Sequence, residues 1–188
     1  MYQDVSPQKT AIDILQDLVG DPQNFTLPAL RILDNFSRND GLLTVNGLRK
    51  PAYYLLGLLE TFPDEIIGLG PGYIALQNKK TKALLVFNPD PSDSITIDIV
   101  ARNVSSNYKL TKYKMLARNS CLDFWAQLNF NRLEMEDIKN INYMSRPDIE
   151  FELIPSCKQY YTSAELLPYD IMLLKFAGES SFGILKAD

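Results

Sequence analysis

The run from Gly41 to Phe62, GLLTVNGLRKPAYYLLGLLETF, splits this chain into two textures and limits what either half can become. It opens on a short apolar piece, Leu42 to Val45. Asn46-Gly47 follows, a pair that marks a tight turn. Pro51 stands where a helix begins, because the N–H it lacks is one that the first helical turn leaves unbonded anyway. Tyr54, Leu55, Leu58, Leu59 and Phe62 recur at helical spacing, and Tyr53 and Leu56 widen the stripe. A helix this apolar predicts cover on more than one side. Pro63 stops it.

Ahead of that run the pattern is helical. Ser6-Pro7 reads as a helix start, and Ile12, Leu15, Leu18 and Val19 fall on one face of the helix that follows. Gly20 is expected to end it in a left-handed cap before Asp21-Pro22. A second short helical piece is expected over Ala29 to Asn35, with Leu30, Ile32, Leu33 and Phe36 as its apolar side.

Beyond Pro63 the chain reads as strands. Glu65 to Leu69 ends at Gly70-Pro71-Gly72. Tyr73 to Gln77 and Lys82 to Asn88 flank Asn78-Lys79-Lys80-Thr81 as a hairpin. Ser94 to Ala101 alternates Ile95, Ile97 and Ile99 against Thr96 and Asp98, the pattern of a half-buried strand. Asn103 to Asn107 reads as a polar turn, and Tyr108 to Leu116 as another strand. Asn119-Ser120 caps a short helix with Leu122, Phe124, Trp125 and Leu128. A second helix runs near Glu134 to Tyr143, with Ile138 and Ile141 inward, and Arg146-Pro147 ends it. Ile149, Phe151 and Leu153 alternate with Glu150 and Glu152, whose carboxylates read as a solvated face. Tyr169 to Phe176 is a nearly continuous apolar run, the mark of a central strand. The fold expected is mainly β with α: a helical segment, residues 1–62, before an antiparallel β-sandwich of six or seven strands, residues 63–178, and a loose tail, 179–188.

Composition removes several function classes. The 188 residues are 46% hydrophobic and 22% charged, enough for a real core. A net charge of −4 with scattered Lys and Arg argues against a nucleic-acid surface. Lys79, Lys80 and Lys82 sit at an expected hairpin tip. No stretch approaches the ~18 apolar residues of a membrane span. Cys121 and Cys157 form no CxxC motif, and free thiols are expected with a disulfide left open. With no signal-peptide pattern at the N-terminus, the compartment expected is the cytoplasm.

Histidine is absent, which removes the commonest general base and any Ser-His-Asp or Cys-His nucleophile built within this chain. No cofactor or metal is expected, since two distant cysteines make a zinc site improbable. Gly68-Leu69-Gly70-Pro71-Gly72 is followed by a strand pattern rather than a helix with Lys and Ser or Thr, so a β-turn is expected there and not a phosphate loop. Trp125, with Phe124 and Leu128, is expected to plug the end of the sandwich.

The order of GLLTVNGLRKPAYYLLGLLETF, a hairpin, strands, NSCLDFWAQLNFNRLEMEDIKNI, SRPDIEFELI and LLPYDIMLLKF resembles the C-terminal end of glycoside hydrolase family 39, the β-xylosidase-like enzymes. The likeness spans Gly41 to Phe176. It rests on Gly41, Leu42, Leu43, Gly47, Lys50, Pro51, Ala52, Tyr53, Tyr54, Asn119, Ser120, Trp125, Pro147, Leu167 and Pro168. Of these, Gly47, Lys50, Pro51, Tyr53, Tyr54 and Trp125 are the structural motif to look for. The resemblance implies that Gly41 to Phe62 is the last strand and helix of a barrel, with an accessory sandwich after it. It also implies that both catalytic glutamates lie upstream, so no residue here inherits either role and this chain by itself is not an enzyme. Leu128-Asn129-Phe130 departs from the family, where a Met-Gly-x-Pro-like segment is usual.

Two parents are consistent with that likeness. One is an AraC-type transcriptional regulator carrying a glycosidase-like domain in a sensory or assembly role. The other is an active β-xylosidase-like hydrolase. A stand-alone interaction module is the third reading. The partners expected are the rest of the parent polypeptide, a second copy of the chain, and a sugar-like effector, with no direct nucleic-acid contact and no membrane.

Overall fold

The computed structural model describes residues 8–23, 31–34, 41–104, 106–129 and 132–178. Its elements in chain order are α1 (Lys9–Gly20), β1 (Arg31–Asp34), β2 (Gly41–Thr44), α2 (Pro51–Leu59), β3 (Glu65–Gly70), β4 (Tyr73–Gln77), β5 (Thr81–Phe87), β6 (Ile95–Val104), β7 (Tyr108–Met115), α3 (Cys121–Gln127), α4 (Met135–Met144), β8 (Asp148–Ile154), β9 (Cys157–Leu166) and β10 (Ile171–Gly178). A 3₁₀ turn, Ala117–Asn119, leads into α3. The expected class holds: mostly antiparallel sheet, with helices.

Strands β3-β4-β5-β10-β7-β8 form one six-stranded antiparallel sheet. β6 and β9 pair separately as a two-stranded ribbon over one face of it. The last strand, β10, is inserted between β5 and β7 and is hydrogen-bonded along both edges. Its alternation serves two cores. Ile171 and Leu173 face α1 and α2 together with Ile74, Leu85 and Phe87. Met172 and Leu174 face the ribbon with Val86, Leu110, Ile99 and Leu166. A strand covered on both faces reads as a continuous apolar run, which is why Ile171 to Leu174 shows no polar alternation.

Helix α1 buries Ala11, Ile12, Ile14 and Leu15 on the outer face of the large sheet. α2 lies beside it and buries Pro51, Ala52 and Leu55. Only that side of α2 is fully buried; Tyr53 and Gly57 stay exposed, so the cover expected on several sides is not complete. Where the chain leaves α2, Lys175 of β10 donates to the Thr61 carbonyl at 2.8 Å and lies near the Phe62 ring.

Several local expectations are corrected. Ala29 to Asn35 is not helical over the described part: β1 is a strand, paired in parallel with β2. Ile32-Leu33 is too short an apolar run for periodicity to separate helix from strand. The α1 helix continues through Gly20, and Asp21 caps it by donating its N–H to the Asp17 carbonyl. Gly20 has no positive φ. Ser6-Pro7 and the tail after Gly178 lie outside the described residues. β6 runs on to Val104 because the ribbon partner continues to Cys157, shortening the expected turn. β9 itself carries only a muted pattern: its inward residues are Tyr160, Thr162, Ala164 and Leu166, two of them polar.

The largest correction concerns β8. Its apolar residues face out, with Ile149, Phe151 and Leu153 at 53%, 66% and 80% exposure. Its glutamates face the ribbon side, where β7 offers Lys112 and Lys114. On that side Glu150 and Glu152 pair with the β7 lysines while Ile154 of the same face packs into the ribbon core.

Turn chemistry behaves as expected. Gly47 has φ +84° and closes on Thr44, its N–H 2.8 Å from the Thr44 carbonyl. Gly72 has φ +86° in the β3–β4 turn, where an added Cβ would lie 2.9 Å from the Phe87 carbonyl. The β4–β5 hairpin is closed by the Asn78 side chain, which accepts from Lys80 and Thr81 N–H groups.

The two apolar surfaces make a paired expectation. Leu173→Ala in the fully buried β10 position costs about 2–5 kcal/mol, whereas Leu153→Ala on the exposed side of β8 changes stability by less than about 0.5 kcal/mol. Urea denaturation of both variants checks this.

Candidate functional site

The expected motif residues meet at the junction between the β2–α2 turn and the α3–α4 excursion. Lys50 caps α2 in extended geometry and is buried, and Pro51 follows as the first helical residue. Arg49 lies over the Tyr53 ring, 5.0 Å from its centroid. Tyr53 and Tyr54 meet edge to face at 5.5 Å. Tyr54 donates its hydroxyl to the Asn142 carbonyl at 2.7 Å. Burial pushes the Tyr54 phenol up, with Arg49 and Arg146 opposing.

Asn142, on α4, is the residue that sequence reading missed. Its side-chain carbonyl accepts the Arg49 N–H at 2.7 Å, and its amide donates to the Gly47 carbonyl at 3.0 Å. One side chain therefore serves a backbone donor and an acceptor besides the turn's own bonds from Thr44 N–H to the Leu48 carbonyl and from Lys50 N–H to the Leu42 carbonyl. Leu48 points from the same turn into a small core with Cys121 and Ile141, against which Leu122, Phe124, Trp125 and Ile138 pack. Trp125 thus plugs the helical excursion against the turn, not the end of the sandwich. Cys121 and Cys157 are both free, and burial pushes the Cys121 thiol up to about 12.

The helices are positioned by their own N-termini. Ser120 and Asp123 form a reciprocal capping box on α3, as Glu134 and Asp137 do on α4. Each box bonds amides that the first turn leaves unpaired. The Glu134 and Asp137 carboxylates are therefore capping groups.

A second feature is a groove of about 540 Å³ between β7 and the free edge of β9, lined by Lys112, Lys114, Arg118, Glu165 and Asp170 among others. Lys112 pairs with Glu152 at 2.9 Å, and Tyr160 of the ribbon donates to the same carboxylate at 2.9 Å. Burial pushes Glu152 up, but Lys112 and Tyr160 outweigh it and hold the carboxyl below its usual range. The Tyr160 phenol is pushed up to about 12 by burial and by that hydrogen bond. Asp170 is raised by burial, yet its carboxylate accepts the Ala117 and Leu167 N–H groups at 2.8 and 3.1 Å. These carboxylates hold sheets and turns in place. Among the described residues no cluster of three His, Cys, Asp or Glu side chains suits a metal ion, and no helix is long and apolar enough to cross a membrane.

No protein-family model matches the chain, and no curated protein matches it. Solved structures do resemble it. A GH39 enzyme from Xanthomonas axonopodis pv. citri superposes with a TM-score of 0.70 at 14% identity, over 92% of this chain and 41% of that one. A monomeric β-xylosidase from Caulobacter crescentus gives 0.72 at 12%, over 94% and 42%. A bacterial orthologue of human α-L-iduronidase gives 0.71 at 10%, over 97% and 40%. The chain thus spans about two fifths of each of these proteins. The shared fold is that of the C-terminal domain of the GH39 enzymes.

Two measurements follow. Asn142→Ala leaves the Arg49 N–H and the Gly47 carbonyl without their partner and costs about 1–3 kcal/mol. Amide exchange at Arg49 accelerates in that variant, while exchange in β10 changes only by the global loss. For Glu152, the depressed carboxyl stabilises the fold above the ordinary carboxylate range, and that contribution is lost as pH falls through its folded pKa. Glu152→Gln is therefore less stable than the parent at neutral pH, and urea titrations down the acid limb show the gap closing.

Proposed function

We propose that this chain is the non-catalytic C-terminal sandwich region of a glycosidase-like protein, docked on an α/β barrel whose remaining strands come from another segment. The observation that carries this is the parallel pair β1–β2. Parallel strands are a feature of sheets buried on both faces, and two of them alone cannot close on anything. Ile32 and Leu33 on β1 are 70% and 56% exposed, and Val45 beyond β2 is 62% exposed. Neighbouring strands would bury these residues and bond the outer edges. The share of the fold neighbours that the chain spans, about two fifths, supports the same reading.

The parent we favour is a cytoplasmic AraC-type transcriptional regulator, in which the glycosidase-like domain senses a sugar-like effector or directs assembly. DNA would be contacted by a part other than this chain. The free cysteines and the departure at Leu128-Asn129-Phe130 support it. The second reading is an accessory domain of an active β-xylosidase-like hydrolase, favoured by the fold neighbours, which are named as enzymes. The regulator requires two helix-turn-helix units upstream in the same reading frame. The enzyme requires an Asn-Glu pair and a second glutamate on upstream barrel strands.

The purified chain is expected to hydrolyse no aryl xyloside and to bind no DNA specifically. Measurable turnover of an aryl glycoside by this chain alone overturns the non-catalytic reading.

A further inference from the structure

Next to Asn142, a shallow crevice opens where the start of α2, the end of β7, the start of α3 and the end of α4 meet. Its lining includes Arg49, Tyr54, Lys114, Asn119, Ser120 and Arg146, and among the described residues no carboxylate. That is notable on a chain with a net charge of −4. Lys114 is neutralised by Glu150 at 2.6 Å. The Asp123 carboxylate behind Ser120 caps α3.

The two guanidinium groups are different. Arg49 stacks on Tyr53, and Arg146 stacks on Tyr143 at 5.4 Å from the ring centroid. Among the described residues neither has a carboxylate partner. A guanidinium stacked on a ring keeps its edge N–H donors free and holds their direction. Both arginines line this same crevice, as does Tyr54. The enclosed volume, about 10 Å³, admits roughly one oxygen atom.

We propose that this crevice is an oxyanion site, in which Arg49 and Arg146 seat one oxygen of a carboxylate, sulfate or phosphate group while the rest of the ligand projects to solvent. Two guanidinium groups give an oxyanion's oxygen charge-assisted N–H donors, which an uncharged polyol has no charge to match. The site lies wholly within this chain, so it stands whether or not a barrel is attached. A ligand held at this crevice carries an acidic group.

The test is a titration of the full chain with sodium glucuronate, inorganic sulfate and inorganic phosphate. Glucose and sodium chloride at matched ionic strength serve as controls, followed by the arginine Nε–Hε and backbone amide signals in NMR. At least one oxyanion is expected to give saturating shifts at Arg49, Arg146 and Ser120 at concentrations where sodium chloride gives only weak, non-saturating shifts and glucose gives none. The tightest of the three identifies the head group. Arg49→Gln with Arg146→Gln weakens that binding about tenfold or more, with the circular dichroism unchanged; the Arg49 backbone bond to Asn142 survives the substitution. Arg146→Gln alone, at an exposed position, gives the same direction if the double variant does not fold. The absence of saturating shifts with all three anions overturns the proposal, as does unchanged affinity in the variants.

Discussion

Strand β10 is hydrogen-bonded on both edges and packed on both faces, and the rest of the molecule is arranged around that double demand. Its edges need β5 and β7, which arrive from different parts of the chain. One face needs the helices α1 and α2, and the other needs the β6–β9 ribbon. It is the last strand among the described residues, so the six-stranded sheet is complete only when residues 171–178 are in place. The contacts across it are long-range, and such pairings form late because loop closure must come first. The buried Asn88 and Asp170 cluster serves that insertion. Asn88 donates from its side chain to the Asp93 and Leu166 carbonyls and, from its backbone, to the Asp170 carbonyl, fixing the loops on either side of the gap that β10 fills.

Helices α1 and α2 share one core with the large sheet, so the helical segment and the sandwich cannot move independently without opening that core. The α3–α4 excursion adds a second link through Leu48 and Asn142. The β2–α2 turn is therefore held from both sides, by α2 packed on the sheet and by α4 bonded to its backbone. This rigidity directs Arg49 and Arg146 into one crevice, since each guanidinium is carried by an element that the other element's contacts hold in place.

Edge strand β8 shows how the same alternation can serve opposite ends. Read alone, Ile149, Phe151 and Leu153 invite burial and Glu150 and Glu152 invite water. In the fold, the Glu face meets two lysines of β7 and a tyrosine of the ribbon, and the apolar face is left outward with Lys109 above Phe151. Alternation reports that a strand has two unlike faces. It does not report which face the neighbouring strand will complement.

Much of the architecture was legible locally. The Asn46-Gly47 and Gly70-Pro71-Gly72 turns, the capping of α3 by Ser120 and the apolar run of β10 are decided by residues adjacent in sequence. Backbone sterics, capping geometry and continuous hydrophobicity act over a few residues whatever the rest of the chain does. The helix expected over Ala29 to Asn35, the left-handed cap at Gly20 and the missed β9 show the limit of that reach. β1 is a strand because β2 lies beside it, and β9 is a strand because β6 does, although Thr162 and Ala164 give it little hydrophobic signature. The candidate site was the least legible part. Of its residues, Gly47, Lys50, Pro51, Tyr53, Tyr54 and Trp125 stood out as a motif. Asn142 and Arg146 carry no local signal, because an asparagine or an arginine acquires its role only from the backbone or the charge it meets. By itself the sequence determined where the chain turns, which segments are apolar enough to be buried, and that no histidine-based chemistry exists here. Only the tertiary structure decided which face of β8 turns inward, that β1 and β2 run parallel, and that two distant arginines share one crevice. Each of those outcomes is set by a partner far away along the chain.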